Sequence, residues 1–345
     1  MKKLVAAIIV LTLFSLPAFS QTNTDLDSFK AGLQGFADDM ASVLPMNSAV
    51  GLNWSDPYIG QFLALPPHFG VGVTTGVTTI PYKTVESVLE KAFNEANADI
   101  PDVVKKFGLP LPAVALDARI GGFILPFDVG VKAGFIPKFA EKAIGDDVKL
   151  DYLLLGGDIR YQLMKQRLIL PEISLGVGYN YLKGSVAFGG ILDNTAIDLS
   201  GTPLAPGELF LTSPDFYIEW ESHVVDLKAQ AGWKLLILQP SVGIGASRGS
   251  SSVSGGAQST LLYDPDGPGG TPPGALTPLQ KQQLKTLGYD VDDFGIGVTS
   301  EVSGWSYRVF AGLGINILLL KVDVGLQYNL NGRNYGATVG ARLQL

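Results

Sequence analysis

The strongest constraint in this sequence is a two-residue alternation of apolar and polar side chains that recurs along most of the chain. It is clearest at the C-terminus, where the apolar positions are Tyr335, Ala337, Val339, Ala341, Leu343 and Leu345. The positions between them are Gly336, Thr338, Gly340, Arg342 and Gln344. Successive side chains of a β-strand point to opposite faces, so this segment is predicted to be a strand with one apolar and one polar face.

The same alternation predicts further strands. They are the segments 307–317 and 320–330, and others near residues 68–80, 113–123, 127–136, 150–163, 168–182, 224–235 and 238–248. Each is about as long as the 9–11 residues that a tilted membrane strand needs. We therefore predict an all-β fold, namely an antiparallel transmembrane β-barrel of about ten strands, with roughly 8–14 as the range.

Two observations leave other architectures open. Val50, Leu52 and Trp54 also alternate, and the run 216–218 is out of phase with the strand after it, which a bulge or an extra hairpin would explain. A soluble, exported β-sandwich would show the same two-faced strands. Connection lengths and the terminal strand favour the barrel.

Short and long connections alternate along the chain. The tight connections lie near Leu125-Pro126, Lys165-Gln166, Leu236-Ile237 and Leu318-Leu319. The long connections are predicted at 81–112, 137–149, 183–223 and 249–297. Bacterial barrels have short periplasmic turns and long outer loops, and an even number of strands places both chain ends in the periplasm.

The N-terminus predicts export. Positive charge at Met1-Lys2-Lys3 precedes an apolar stretch from residue 4 to 17, and Ala18-Phe19-Ser20 is a small-x-small cleavage pattern. The stretch is shorter than the roughly 20 residues of a membrane anchor, so residues 1–20 are predicted to be a signal peptide. The sequence has no cysteine, which excludes a lipoprotein anchor. The expected location is the bacterial outer membrane, with residues 46–345 forming the barrel.

Residues 21–45 are predicted to contain an amphipathic helix. Its apolar residues recur at three- and four-residue steps, at Leu26, Phe29, Leu33, Phe36, Met40 and Val43. Pro45 ends the pattern. We interpret it as a periplasmic or plug helix, packed on the barrel mouth or within the lumen. The alternative is a helix that binds a partner or lies on the membrane surface.

The bulk composition limits the partners. Charged residues make up 17% of the chain, below the roughly 25% that is usual in soluble domains, which suits a surface that faces outer-membrane lipid. The net charge of -7 and the absence of clustered Lys and Arg argue against nucleic acid.

The final strand resembles the terminal recognition strand of outer-membrane barrels, with apolar residues at alternate positions counted from the chain end. The last residue is Leu345, where that pattern usually has an aromatic residue. The resemblance implies recognition by the barrel assembly machinery. A segment ahead of a barrel is also similar to the arrangement in fatty-acid-transporter-type barrels, which implies passage of a small or hydrophobic solute.

Charged residues of both signs are predicted to line the lumen. They are Asp117, Arg119, Asp128, Lys132, Asp158, Arg160, Glu172, Asp226, Lys228, Lys234, Arg308, Lys321, Asp323 and Arg342. The lumen of such a barrel is narrow, so opposite charges can pair between strands. One interpretation is a structural ionic network that fills the lumen. The other is a solute pathway tuned by the same charges.

Catalytic, metal and cofactor sites are not expected. The chain has two histidines, His68 and His223, and we interpret the second as part of a solvated surface cluster with Glu219 and Glu221. Asp264-Pro265-Asp266-Gly267 lacks the remaining ligands of a calcium loop and predicts an ordinary turn. We therefore expect a channel or transporter for a small or hydrophobic solute and not an enzyme. The alternative is a structural or surface-interaction, adhesin-like barrel with a closed lumen.

Overall fold

The computed structural model describes residues 23–82, 86, 100–136, 148–188, 195–198, 208–211, 215–258, 261–264, 274–286 and 295–345. Its elements in chain order are α1 (Asn23–Asn47), β1 (Phe69–Ile80), α2 (Asp102–Phe107), β2 (Leu109–Gly121), β3 (Phe127–Phe135), β4 (Val148–Met164), β5 (Glu172–Phe188), β6 (Thr195–Asp198), β7 (Glu208–Leu211), β8 (Asp215–Gly232), β9 (Leu238–Gln258), β10 (Leu261–Asp264), β11 (Gly274–Ala275), α3 (Pro278–Thr286), β12 (Gly295–Ile317), β13 (Leu320–Asn329) and β14 (Tyr335–Gln344). The predicted signal peptide, 1–20, lies outside the described residues.

Ten of the strands form one closed antiparallel barrel, in the order β1-β14-β13-β12-β9-β8-β5-β4-β3-β2. The first and last strands close it, with Val71 opposite Leu343 and Val77 opposite Ala337. Four tight connections, at 122–126, 165–171, 233–237 and 318–319, lie at one end, which we call the turn end. The long connections lie at the other, the loop end, together with the short turn 330–334 between β13 and β14. Two long connections at the loop end contribute a small four-stranded sheet, β11-β10-β7-β6.

The outside of the barrel is apolar. Outward residues such as Val131, Leu326 and Leu343 are more than half exposed, whereas the residues between them face the lumen. On β14 this band runs from Tyr335 to Leu345, a span of about 25 Å from roughly 3.3 Å per residue and a tilt of about 40°. A closed barrel with an apolar band of this height is an outer-membrane β-barrel, as the alternation predicted.

None of the helices among the described residues is both long and apolar enough to cross a membrane.

Four strands continue well beyond the predicted ends. β5 has 17 residues, β8 has 18, β9 has 21 and β12 has 23, so much of the predicted connections 183–223 and 249–297 is strand. In these extensions the outward face becomes polar, as at Glu221 and Ser252, while the inward face becomes apolar, as at Phe216 and Ile218. This exchange of faces produced the phase conflict at 216–218. The register of β8 with β9 is continuous there, so no bulge lies at 216–218. The connection before β8 does contain an extra antiparallel pair, β6 with β7, but that pair is outside the barrel and is not the cause of the conflict.

The predicted strand near 168–182 begins at Glu172 instead. Residues before it belong to the turn, where Arg167 and Leu170 form an isolated bridge. Leu168, at the tip, has a positive φ of 49° and is almost fully exposed. The apolar turn residues imitate the outward face of a strand, which explains why alternation placed the boundary too early.

Candidate functional site

The predicted N-terminal helix is present and fills the loop-end half of the lumen. The apolar face of α1 is buried there and includes Leu33, Phe36, Met40, Val43 and Leu44. It packs on inward residues of the surrounding strands, among them Leu154, Leu182, Phe216, Ile218, Trp220 and Val253. Asn47, at the end of α1, donates to the Thr78 hydroxyl at 2.9 Å and to the Leu111 carbonyl at 3.0 Å.

Of the two predicted positions, the barrel mouth and the lumen, α1 occupies the lumen. It does not lie at the turn end, where both chain termini were expected, because its contacts are with strand residues near the loop end. The difference arises because the chain after α1 runs back through the lumen before β1 begins at the turn end. We call residues 48–60 the lumenal segment.

Three wall carboxylates accept hydrogen bonds from the backbone of the lumenal segment. Asp117 accepts from the Leu52 amide at 3.0 Å, and Asp323 accepts from the Ser55 amide at 3.0 Å. Asp128 accepts from the Ile59 amide at 3.1 Å. These amides have no strand or helix partner in this part of the chain, so wall side chains replace the secondary structure that a buried backbone requires.

Wall donors hold the carbonyl groups of the same segment. Lys132 Nζ donates to the Ser48 carbonyl at 2.6 Å and to the Val50 carbonyl at 2.7 Å. Arg160 donates to the Asp56 carbonyl. Gln230 donates to the Trp54 carbonyl at 2.9 Å. Donors and acceptors of the wall therefore fix the segment from several strands at once.

Trp54 and Asp56 are the two side chains of the lumenal segment that enter the charge network. The Trp54 ring lies 4.4 Å from the Arg342 guanidinium and 5.5 Å from that of Arg119, and its indole N–H donates to Asp117 at 3.2 Å. Cations over an aromatic face are attracted by the ring quadrupole. Asp56 pairs with Lys321 at 3.2 Å and with Arg342.

Other wall charges pair with one another. Arg119 bridges Asp128 at 2.5 Å and Asp158 at 2.6 Å, and Arg160 also binds Asp128, at 2.8 Å. Lys228 completes this cluster by pairing with Asp158 at 2.6 Å. Buried charges are tolerated only when they are paired and hydrogen-bonded, and here the carboxylates and cations alternate.

The remaining predicted charges extend the network toward both ends. Arg308 forms a two-armed pair with Asp226, with both contacts at 2.7 Å. Glu172 pairs with Lys234 at 3.2 Å at the turn end, where the Lys234 side chain is 48% exposed. The predicted lumenal charges that lie within strands point inward in the structure, whereas Lys234 lies beyond the end of β8 in the turn and is half exposed.

Sequence reasoning missed the segment that these charges hold. Asp56 and Trp54 were absent from the predicted lumen set. The alternation of Val50, Leu52 and Trp54 was a signal of structured chain before β1, but it was interpreted as evidence for one more strand.

Little space remains beside the lumenal segment. A cavity next to Asn53 and Trp54 has a volume of about 30 Å3, and a second one, beside Asp117 and Arg342, about 10 Å3. Each is about large enough for a single water molecule. The lumen is therefore filled where the lumenal segment passes these residues.

The histidines lie away from this network. His223 is on the outer surface of β8, half exposed, with Tyr179 at 2.7 Å from one ring nitrogen and Glu221 at 3.3 Å from the other. His68 precedes β1 at the turn end, against Gly60. Within the described ranges no three His, Asp or Glu side chains are grouped as a metal site would require.

The Lsa36-like family model matches residues 106–345, which covers every barrel strand except β1. The chain belongs to the Lsa36-like family. Among curated proteins, none matches this Lsa36-like chain.

Solved structures similar to this Lsa36-like chain are outer-membrane proteins. The outer membrane protease OmpT from Escherichia coli is 11% identical, with a TM-score of 0.37, and the match covers 81% of this chain and 97% of OmpT. The CymD monoaromatic hydrocarbon channel is 11% identical, with a TM-score of 0.24 and 80% and 87% covered. Ail, the attachment invasion locus protein of Yersinia pestis, is 9% identical, with a TM-score of 0.20 and 81% and 97% covered. At these scores the likenesses carry no argument about function.

Proposed function

We propose that this Lsa36-like chain is a closed-lumen outer-membrane barrel with a structural or surface-interaction role. The observation that carries the proposal is the filled lumen: α1 occupies its loop-end half, and wall side chains bind the backbone of the lumenal segment below it. A permanent solute path would need a continuous wet channel past these groups.

The extended strands support the surface role. Beyond the apolar band, β8, β9 and β12 present in-register rows of outward polar residues. In one row Ser252 lies between Glu221 and Glu301, and in the next Ser254 lies between Glu219 and Thr299. Small and acidic side chains on a regular sheet make a flat, hydrophilic face outside the membrane, which is the face that we propose for contacts with partners.

Gated transport is the second candidate. It is favoured by the fact that α1 and the lumenal segment form one continuous stretch of chain, which is held without covalent links and is joined to β1 through residues 61–68. If this stretch left the lumen, the wall charges would line a polar passage for a small or hydrophobic solute.

Export, assembly and chemistry complete the proposal. We propose removal of residues 1–20 during export and recognition of β14 by the barrel assembly machinery, because β14 is the terminal strand that closes the barrel against β1. We propose no enzymatic role, since His223 lies on the outer surface of β8 and His68 lies against Gly60 at the turn end, both away from the lumenal charge network.

Single-channel recording in planar bilayers tests the closed lumen. The refolded chain from residue 21 onward should insert without stepwise conductance, and a variant lacking residues 23–60 should conduct. A heat-dependent shift in gel mobility confirms that both proteins are folded barrels. Steady conductance by the undeleted chain would overturn the closed-lumen proposal in favour of transport.

A further inference from the structure

An apolar groove lies on the outer surface near the loop end, beside α2. Its volume is about 740 Å3. Its floor contains one row of outward residues on four neighbouring strands, in which Val77 is opposite Ala337, Ala337 opposite Leu326, and Leu326 opposite Ala311. The two alanines leave a depression between the larger side chains.

Helix α2 and an aromatic cluster form the upper wall of the groove. The Phe107 ring meets the Tyr335 ring edge-on, with centroids 5.7 Å apart, and Tyr335 also contacts Tyr328, at 5.1 Å. Val103 and Phe107 are exposed although they are apolar. Val104, which also lines the groove, is buried in the core and holds the helix in place.

The groove opens onto the membrane. Val77, Val309 and Leu326 belong to the exposed apolar band of the barrel, so the groove is continuous with the surface that faces lipid. Its volume is within the range of about 300–1,000 Å3 that is usual for ligand pockets. An occupant that reaches it from the bilayer is a hydrocarbon chain of a membrane lipid.

Cationic side chains stand at the headgroup side of the groove. Lys105 and Lys106 are exposed in the last turn of α2, and Lys106 Nζ lies 5.4 Å from the centre of the Phe107 ring. Arg333 is exposed in the turn that leads into Tyr335. Asp102, at the start of α2, is the acidic residue of that helix. The net charge of these four side chains is positive, and they lie at the edge of the apolar groove.

We propose that the groove binds an acyl chain of an anionic lipid, whose negatively charged headgroup contacts Lys105 and Lys106. The groove recognises both parts of the lipid, because its apolar floor accepts the acyl chain and its lysines select the anionic headgroup. This site is separate from the lumen, so it does not depend on whether the barrel conducts.

Native mass spectrometry of the refolded barrel tests the proposal. The barrel is released from nanodiscs of phosphatidylcholine that contain a minor fraction of phosphatidylglycerol, and retained lipids are counted. We expect the wild-type barrel to retain phosphatidylglycerol preferentially. Ala337→Trp fills the groove and should abolish this retention, whereas Ala341→Trp, on the same face of β14 toward the turn end, should not.

Headgroup selection is tested with K105Q/K106Q. Each Lys near an anionic surface contributes a factor of about five, so the preference for phosphatidylglycerol should fall roughly 25-fold. The control K165Q/R167Q removes two exposed cations at the turn end and should keep the preference. Equal retention in A337W and A341W would overturn the site, and an unchanged preference in K105Q/K106Q would overturn the assignment of an anionic lipid. Each variant must first show the wild-type heat-dependent gel shift.

Discussion

Replacing Asp56 by Asn should loosen the lumenal segment without opening the barrel wall. The substitution keeps the shape of the side chain but removes the charge that Lys321 and Arg342 contact. Removing one partner of a buried ion pair costs about 3–5 kcal/mol. We expect the lower end, about 3 kcal/mol, because Arg342 retains Asp323 and the Lys321 side chain is 15% exposed.

Hydrogen exchange measures this loss directly. A change of about 3 kcal/mol corresponds to roughly a hundredfold shift in the opening equilibrium. The amides of Leu52, Ser55 and Ile59, which bind wall carboxylates, should therefore exchange about a hundred times faster in D56N, by mass spectrometry of peptides from residues 48–60. Asp151→Asn, at an exposed outward carboxylate of β4, is the matched control. Equal exchange in D56N and D151N would refute the anchoring role of Asp56.

Two further predictions concern the same assembly. Leu44→Ala, in the fully buried core around α1, should lower the free energy of unfolding in urea by about 2–5 kcal/mol, whereas Leu330→Ala, on the exposed outer surface, should cost less. With tight turns in the periplasm, Lys30→Cys in α1 should react with a membrane-impermeant maleimide on intact cells and Gln61→Cys at the turn end should not; the reverse labelling would contradict the topology.

The barrel itself was predictable from the sequence. Alternation is a local property of the sequence. On β13, for example, Val324 predicts the outward face and Asp323 the inward face, and neither prediction needs the neighbouring strands. The inward charges were predictable for the same reason. Where the strands leave the membrane this rule fails, because the outward residues of β8 become polar and the inward ones, such as Ile218, become apolar.

The filling of the lumen was not predictable in the same way. Asp56 contacts Lys321 and Arg342, which are 265 and 286 positions away in the sequence. Nothing in the short sequence around Asp56 encodes those partners. The periodicity of α1 predicted an apolar face, but only the apolar inner surface at the loop end determines which end of the barrel accepts it.

The most direct test of the central claim, that the lumenal segment threads the barrel, is a disulfide between Ser55→Cys and Gly314→Cys. A Cβ at Gly314 would lie 3.1 Å from that of Ser55, close to the roughly 3.5–4.5 Å of a disulfide, and the chain has no cysteine of its own. The account predicts that mild oxidation of the folded barrel consumes both thiols of S55C/G314C but leaves S55C/G297C reactive, because Gly297 lies at the loop end of the same strand. Free thiols in S55C/G314C after oxidation would contradict the account.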